Sequence, residues 1–171
     1  MRKVILNLAI SLDGFIEGPM GEYDWCFTDQ DYGMTEFLSK VDAVFFGRKS
    51  YELVCPMGPN AYPNLARYVF SKTLRSAEGA VIIGRNVKAN VETLKRKKGK
   101  DIWLFGGAEL TNSLITLNLV DEALLSVHPV VLGGGKRLFS ESEKRVRLKL
   151  VGTKSYSTGL VQLSYRIKKS K

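Results

Sequence analysis

The arrangement of hydrophobic residues along the chain predicts strands in some segments and helices in others. Short apolar runs bounded by glycine or polar residues predict strands at 4–10, 43–46, 68–70, 81–83, 102–105 and 123–131. Apolar residues at helical spacing predict helices at 36–41, 49–53, 87–94 and 108–118. Two longer strands, 144–156 and 160–168, flank a Ser-Thr-Gly turn and predict a hairpin.

The order of these elements predicts a three-layer α/β/α fold in a single domain over residues 1–171. Strands and helices alternate through residue 120, which favours a mostly parallel central sheet with helices on both faces. The C-terminal hairpin adds antiparallel strands. Residues 56–63, which contain three prolines, predict one surface loop.

Composition excludes several classes of protein. No apolar run approaches the roughly 20 residues of a membrane span, and the N-terminal apolar segment is too short for a signal peptide. Cys26 and Cys55 form no paired motif, and His128 is the single histidine, so we expect no metal site. Reduced thiols indicate a cytoplasmic protein.

The net charge of +9 comes from the last part of the chain. Residues 1–135 carry 15 basic and 15 acidic residues, whereas residues 136–171 carry 11 basic and 2 acidic residues. A nucleic-acid-binding surface is one interpretation. The other is a half-buried strand with a basic, solvated face, because basic and apolar residues alternate over 145–151. Few aromatic residues are available there to stack on bases, so we favour the strand and expect no nucleic-acid partner.

Residues suited to binding phosphates follow three of the predicted strands. Gly106-Gly107 ends one strand and opens a helix, whose first amides and positive dipole end suit an anion. The other two strand ends supply cations and hydroxyls: Gly47, Arg48, Lys49 and Ser50 after one, and Ser71, Lys72 and Thr73 after the other. Loops after parallel strands share one sheet edge, so the set predicts a site for a ligand with several phosphates. The glycine pair alone is equally consistent with a plain turn, and the dinucleotide and P-loop glycine fingerprints are absent.

Five motifs in order carry a resemblance to a known superfamily. They are Ser-Leu-Asp-Gly at 11–14, Gly-Arg-Lys-Ser-Tyr-Glu at 47–52, Val-Phe-Ser-Lys-Thr-Leu at 69–74, Leu-Phe-Gly-Gly-Ala-Glu-Leu at 104–110 and the Gly-Gly-Gly-Lys segment within 129–139. From about residue 3 to residue 168 the chain resembles the dihydrofolate-reductase-like superfamily. The branch it resembles is the riboflavin-biosynthesis reductase, which forms the C-terminal half of a bifunctional deaminase–reductase. The resemblance implies a sheet of about eight strands, NADPH as hydride donor and a homodimer.

The resemblance also implies roles for individual residues. The segment that cradles the cofactor pyrophosphate matches Gly106, Gly107, Ala108, Glu109 and Leu110, with a cis peptide expected between the two glycines. The helix start that meets the phosphates matches Gly47, Arg48, Lys49 and Ser50. The loop near the adenosine 2′-phosphate matches Ser71, Lys72 and Thr73, which would select NADPH over NADH. Ala9 and Ile16 match positions that flank the nicotinamide.

Three departures from true dihydrofolate reductases argue against folate as the substrate. Gly33 stands where those enzymes carry an acid on the first helix, and Leu65 stands where they carry an arginine. Their Pro-Trp pair is Asp24-Trp25 here. The cofactor segments are unaffected by these changes.

Hydride transfer to a polar double bond also needs a proton donor. Asp13 and Asp31 are the candidate catalytic acids, although Asp13 also suits a turn and Asp31 a helix cap. Trp25 is a candidate wall for a flat heterocycle, beside Asp24, and is equally consistent with plain packing. We interpret His128 as structural and residues 133–135 as a turn or bulge.

We therefore predict an NADPH-dependent reductase. It is either of the 5-amino-6-(5-phosphoribosylamino)uracil reductase type or a stand-alone relative, and it transfers a hydride to a pterin-like or ribosylamino-pyrimidine small molecule. Two alternatives stay open: dihydrofolate reductase, and a nucleotide- or nucleic-acid-binding module without enzymatic activity.

Overall fold

A computed structural model describes residues 1–54, 61–141 and 145–169. Within these ranges there are four helices: α1 Met34–Ser39, α2 Arg48–Val54, α3 Val87–Arg96 and α4 Ala108–Thr116. The strands there are β1 Val4–Ser11, β2 Phe15–Glu17, β3 Val41–Gly47, β4 Ala66–Phe70, β5 Ala80–Ile83, β6 Asp101–Gly106, β7 Glu122–His128, β8 Lys136–Arg137, β9 Leu148–Ser155 and β10 Val161–Ile167.

Eight of the strands form one sheet in the order β5-β4-β3-β6-β1-β7-β10-β9. The pairings from β5 to β7 are all parallel. β10 pairs antiparallel with both β7 and β9. The predicted three-layer fold, with a mostly parallel sheet of eight strands and a C-terminal antiparallel hairpin, is therefore confirmed.

Two hydrophobic clusters occupy the two faces of the sheet. Neighbouring residues of one strand enter different clusters, as Phe45 and Phe46 of β3 do, because successive side chains of a strand point to opposite faces. Helices α3 and α4 contribute to one cluster, for example through Val91 and Leu114. Helices α1 and α2 contribute to the other, for example through Phe37. Each face of the sheet is therefore covered by two helices.

Several predicted boundaries were wrong. Val41 was assigned to the first helix but begins β3, where it pairs with Asp101 and is 3% exposed. The strand predicted at 123–131 ends at His128. The stretch 145–151 is not a half-buried strand: β9 begins at Leu148, and all eight of its residues are exposed. Residues 56–60 of the predicted surface loop lie outside the described residues.

A second, two-stranded sheet was not predicted. β2 pairs antiparallel with β8, with Phe15 opposite Arg137 and Glu17 opposite Lys136. Gly135 has a φ of +122°, and a Cβ on it would lie 2.1 Å from the carbonyl oxygen of Glu17. The residue before β8 therefore has to be glycine for the two segments to approach this closely.

Lys95, in the last turn of α3, is a buried charged residue. Its side chain is 3% exposed, and its ammonium group forms an ion pair with Asp121 and donates to the carbonyl of Leu119 at 3.2 Å. Lys169 contacts the same carboxylate at 3.0 Å. The buried cation is thus neutralised where α3 meets the start of β7.

Candidate active site

The carboxyl ends of three adjacent parallel strands converge on one edge of the sheet. β4, β3 and β6 are neighbours, so the segments that follow them lie side by side. A Cβ on Gly47, at the end of β3, would lie 3.4 Å from the carbonyl oxygen of Gly106 at the end of β6. Gly106 and Gly107 are joined by a cis peptide bond, as the resemblance implied.

A first cavity, of about 450 Å³, opens at this edge. The segments predicted to bind phosphates all line it: Gly47, Arg48, Lys49, Ser50, Ser71, Lys72, Thr73, Gly107, Ala108, Glu109 and Leu110. Gly106 lies immediately before this lining and is buried. The fold thus brings together residues that are separated by more than a third of the chain.

Hydrogen bonds within the turn after β4 hold the backbone around Lys72 in place. Ser71 Oγ accepts hydrogen bonds from the backbone amides of Thr73 at 3.2 Å and Leu74 at 3.0 Å. This local cap fixes the backbone on both sides of Lys72, whose side chain is exposed. Among the described residues no ion pair involves Lys72, so its charge is available to an anion.

Two further features favour an anion in the first cavity. The Arg48 guanidinium donates to Glu52 at 2.7 Å and to Thr73 Oγ1 at 3.2 Å, which ties the start of α2 to the turn after β4. α4 begins after Gly107, which provides no side-chain cap for the first amides of the helix. Uncapped amides at a helix N-terminus bind anionic oxygens well.

A second cavity, of about 590 Å³, adjoins the first. Ala9 and Ile16, the residues predicted to flank the nicotinamide, both line it. Its walls carry aromatic side chains: Tyr23, Phe27, Tyr32, Tyr62, Trp103 and Phe105. A cavity with aromatic walls suits flat ring systems.

The two cavities share part of their lining. Lys49, Ser50, Gly107 and Lys136 line both. They therefore form a continuous cleft, basic and rich in hydroxyls at one end and aromatic at the other.

Sequence reasoning missed a set of neutral polar groups in the second cavity. Ala9, Ser126 and Gln162 are in register across β1, β7 and β10, and Asn7 lies two residues before Ala9 on the same face. Gln162 Nε2 donates to the backbone oxygen of Tyr32 at 2.7 Å and to Ser126 Oγ at 3.2 Å. Polar residues at alternate positions of predicted apolar strands were the available signal.

The structure does not place Asp13 at the cleft. Its carboxylate accepts hydrogen bonds from Ser11 Oγ at 2.7 Å and from the backbone amides of Leu132 at 3.1 Å and Gly133 at 2.8 Å. Partial burial acts to raise the pKa of Asp13, but these hydrogen bonds outweigh it and hold the pKa below its usual value. A carboxylate that is ionised and fully engaged is poorly suited to donate a proton.

Asp31 also lies outside the cleft, where its carboxylate accepts other hydrogen bonds. It is exposed, and it accepts hydrogen bonds from Thr35 Oγ1 at 2.8 Å and from the Thr35 amide at 3.0 Å, which lower its pKa. It lines neither cavity. Its contacts are those of a cap for the first turn of α1, the second of the two roles predicted for it.

Trp25 and Asp24 do not line either cavity. The Trp25 ring packs edge-on against the His128 ring with centroids 5.3 Å apart, so Trp25 supports the cavity wall from behind. Asp24 is exposed.

Burial, and then the charge of Asp24, raises the pKa of the Cys26 thiol to about 11, so this thiol stays protonated at neutral pH.

His128 joins the aromatic wall to the sheet. Its Nδ1 donates to the backbone oxygen of Ser126 at 3.0 Å, and its Nε2 accepts from the amide of Phe27 at 3.1 Å. These two contacts require the neutral imidazole. Burial lowers the pKa of His128, in keeping with the structural role that we predicted.

A cleft at the carboxyl ends of parallel strands is the usual place for a ligand in an open α/β sheet. The RibD C-terminal domain family matches residues 2–162, and the chain belongs to that family. Two relatives come from Bacillus subtilis (strain 168). The uncharacterized protein YyaP is 46% identical, with 96% of this chain and 94% of YyaP covered. The uncharacterized protein YwjB is 38% identical, with 96% and 97% covered.

Solved structures agree with this assignment. A Shewanella sp. PV-4 protein, whose crystal structure is named for riboflavin biosynthesis, has a TM-score of 0.85 and 25% identity over 98% of this chain and 99% of that chain. The Thermotoga maritima deaminase/5-amino-6-(5-phosphoribosylamino)uracil reductase has a TM-score of 0.75 and 16% identity, and 98% of this chain spans 57% of it. Enterococcus faecalis dihydrofolate reductase, complexed with NADP(H), has a TM-score of 0.73 and 17% identity over 98% and 97%. The fold is therefore dihydrofolate-reductase-like, and the chain belongs to a reductase-related, oxidoreductase family of the riboflavin pathway.

Neither a membrane-spanning helix nor a metal-binding cluster is present among the described residues. No helix among them is long and apolar enough to cross a membrane. Within the same part of the chain, no group of three or more histidine, cysteine or acidic side chains is placed to hold a metal ion.

Proposed function

We propose that the protein is a cytoplasmic, NADPH-dependent reductase related to the 5-amino-6-(5-phosphoribosylamino)uracil reductases. Its substrate would be a pterin-like or ribosylamino-pyrimidine small molecule. The observation that carries the proposal is the single cleft, whose basic end lies at a helix N-terminus and whose aromatic end adjoins it through Lys49, Ser50, Gly107 and Lys136. NADPH suits this layout, because its phosphates fit the basic end of the cleft and its flat nicotinamide ring fits the aromatic end.

The residues of the first cavity fit the phosphates of this cofactor. Lys72 and the hydroxyls beside it would hold the 2′-phosphate, and the start of α4 would hold the pyrophosphate. A Cβ on Gly47 would lie 3.4 Å from the carbonyl of Gly106, so the two strand ends lie side by side beneath the expected position of the phosphates. Ala9 and Ile16 would flank the nicotinamide in the second cavity.

The bound cofactor would supply a hydride to an electrophilic carbon of the substrate. The chain's own contribution is to stack the substrate ring between aromatic walls and to exclude water from it. Asn7 and Ser126 offer neutral hydrogen-bonding groups at the sheet face, which suit the lactam edges of a pyrimidine or pterin. We assign the proton transfer to neither Asp13 nor Asp31, because both carboxylates are engaged outside the cleft.

A substrate panel tests the reaction. NADPH oxidation would be followed with the ribosylamino-pyrimidine, with its dephosphorylated form, with pterins and with dihydrofolate. We expect turnover with a pyrimidine or pterin ring and none with dihydrofolate, because Gly33 and Leu65 replace the acid and the arginine that folate would need. Turnover of dihydrofolate alone would overturn the proposed substrate class. Tight binding of DNA or RNA at moderate salt, without cofactor binding, would favour a nucleic-acid-binding module.

We also propose that the protein is a homodimer. The edge strand β9 and the residues before it leave Val146, Leu148 and Leu150 exposed by 41%, 40% and 51%. Apolar residues clustered on an exposed sheet edge are typical of protein contacts. Light scattering after size-exclusion chromatography should give the mass of two chains for the wild type, and a monomer mass would contradict the proposal.

A further inference from the structure

Lys136 occupies a position that the predicted cofactor residues do not explain. It begins β8 and lines both cavities. Its side chain is only 29% exposed, and its ammonium group lies 3.7 Å from the carboxylate of Glu109, which is 92% exposed. An ion pair at this distance with a solvated carboxylate contributes little, so the charge of Lys136 remains available to a stronger anion.

Lys136 belongs to the segment 130–138, which forms several hydrogen bonds with the residues that follow β1. The Leu12 amide donates to the carbonyl of Val130 at 2.9 Å, and the Leu138 amide donates to the carbonyl of Gly14 at 3.0 Å. Between these points, Asp13 accepts the amides of Leu132 and Gly133. Residues 130–138 are therefore held at both ends and in the middle.

Asp13 contributes side-chain hydrogen bonds to this attachment. Its two carboxylate oxygens take different amides, Oδ1 that of Leu132 and Oδ2 that of Gly133. These amides lie three and four residues before Lys136. Beyond them Gly135 packs against the carbonyl of Glu17, which leaves β8 no room to shift towards β2.

We propose that Lys136 binds the pyrophosphate of the nicotinamide dinucleotide and that Asp13 is the residue that positions it. This inference rests on the proposed function, since the ligand that bridges the two cavities is the cofactor. The pyrophosphate is the part of the cofactor that joins its two ring systems, and so it belongs at the junction that Lys49 and Lys136 line. An ammonium group is a compact charge that suits a phosphate oxygen.

The assignment separates Lys136 from Lys72. Lys72 lines the first cavity only, where the 2′-phosphate would lie. The pyrophosphate is common to NADPH and NADH, whereas the 2′-phosphate is present in NADPH alone. Loss of Lys136 should therefore weaken both cofactors alike, which loss of Lys72 should not.

Binding of NADPH and NADH to the full chain, measured by calorimetry, tests the role of Lys136. We expect Lys136→Met to raise both dissociation constants by a similar factor, about ten- to a hundredfold, as for loss of a charged hydrogen bond. Arg137→Met is the matched control, because Arg137 lines neither cavity and its guanidinium lies over the Phe15 ring. It should change neither constant by more than about twofold, within the spread for neutral surface changes.

The positioning role of Asp13 has a separate readout. Asp13→Ala should weaken both cofactors in the wild-type background, but it should add little in the Lys136→Met background, since the residue it positions is gone. Asp13→Asn keeps one acceptor oxygen, so its dissociation constants should lie between those of the wild type and those of Asp13→Ala. Equal effects of Asp13→Ala in both backgrounds would show a general structural role for Asp13. That result would overturn the proposal that Asp13 positions Lys136.

The outcomes distinguish this inference from the proposed function. If the wild type binds both cofactors and Lys136→Met binds them equally well, the inference fails while the proposed function stands. The same holds if Lys136→Met raises only the KM of the second substrate, because the lysine would then serve that substrate. If the wild type binds neither cofactor, the proposed function and the inference fail together.

Discussion

Lys72→Ala should reduce the affinity for NADPH and leave the affinity for NADH nearly unchanged. Lys72 is held by the turn that Ser71 caps, it lines the first cavity, and its side chain is exposed to solvent. The substitution removes one positive charge from the place where the 2′-phosphate would bind. NADH carries no phosphate there, so it serves as an internal reference.

The magnitude follows from this exposure. Two unit charges about 4 Å apart interact by roughly 1 kcal/mol in water, and the 2′-phosphate carries close to two charges, so the loss is about 2 kcal/mol. This corresponds to a rise of about thirtyfold in the dissociation constant for NADPH. The effect should shrink as salt is added, because an exposed pair is screened over roughly 10 Å at 0.1 M ionic strength.

Titration of each variant with NADPH and NADH provides the assay. Lys98→Ala is a matched control, since Lys98 is exposed in the segment before β6, at the opposite edge of the sheet from the cleft. It should leave both constants within about twofold of the wild type. Equal weakening of NADPH and NADH by Lys72→Ala would refute the assignment of the 2′-phosphate to this turn.

Three further predictions concern stability. Gly135→Ala should lower the melting temperature and loosen the pairing of β2 with β8, because its Cβ would lie 2.1 Å from the carbonyl of Glu17 at a φ of +122°; the strained backbone alone costs about 1–3 kcal/mol. Asp121→Ala should lower the free energy of unfolding by about 3 kcal/mol, since it leaves the buried Lys95 ammonium without its main counter-charge. The free energy of unfolding should also fall as the pH drops below about 6.5, because the folded-state pKa of His128 is lowered and the unfolded chain binds the proton more readily.

Each of the three has its own control. Gly152→Ala in β9 meets no atom within 4 Å and should leave the melting temperature nearly unchanged, so an equal loss at both glycines would contradict the steric argument. Glu36→Ala removes an exposed ion pair with Lys40 and should cost less than about 1 kcal/mol in urea unfolding. For the pH dependence, a His128→Gln variant should lose less stability than the wild type between pH 7.5 and pH 5.5, values of roughly one unit on either side of an unperturbed histidine pKa. An equal loss in both proteins would assign the effect to other groups.

The fold was predictable because it depends on patterns that are local in the sequence. Runs such as 102–105 are apolar throughout, as strands covered by helices on both faces must be. Predicted element boundaries were wrong where one residue fits two patterns. Val41 fits the helical spacing before it, yet its burial and its pairing with Asp101 place it in β3. β2 and β8, of three and two residues, are too short to carry a period.

The basic end of the cleft was also predictable, because its residues follow directly after strands that the pattern reveals. The rest depends on contacts between distant segments. Asp13 was read as a turn residue or an acid, since its actual partner, Gly133, lies 120 positions further along the chain. Lys136 follows three glycines with no regular pattern, so nothing in its neighbourhood indicates that it reaches the cleft. Gln162 sits within a strand otherwise assigned by its apolar residues, where alternation was the one clue.

Calorimetric titration of the wild-type chain with NADPH and with NADH tests the central claim most directly. The cleft that joins a basic cavity to an aromatic one should bind one NADPH per chain, and NADH more weakly by about the factor that Lys72 contributes. Failure to bind either cofactor would contradict the account.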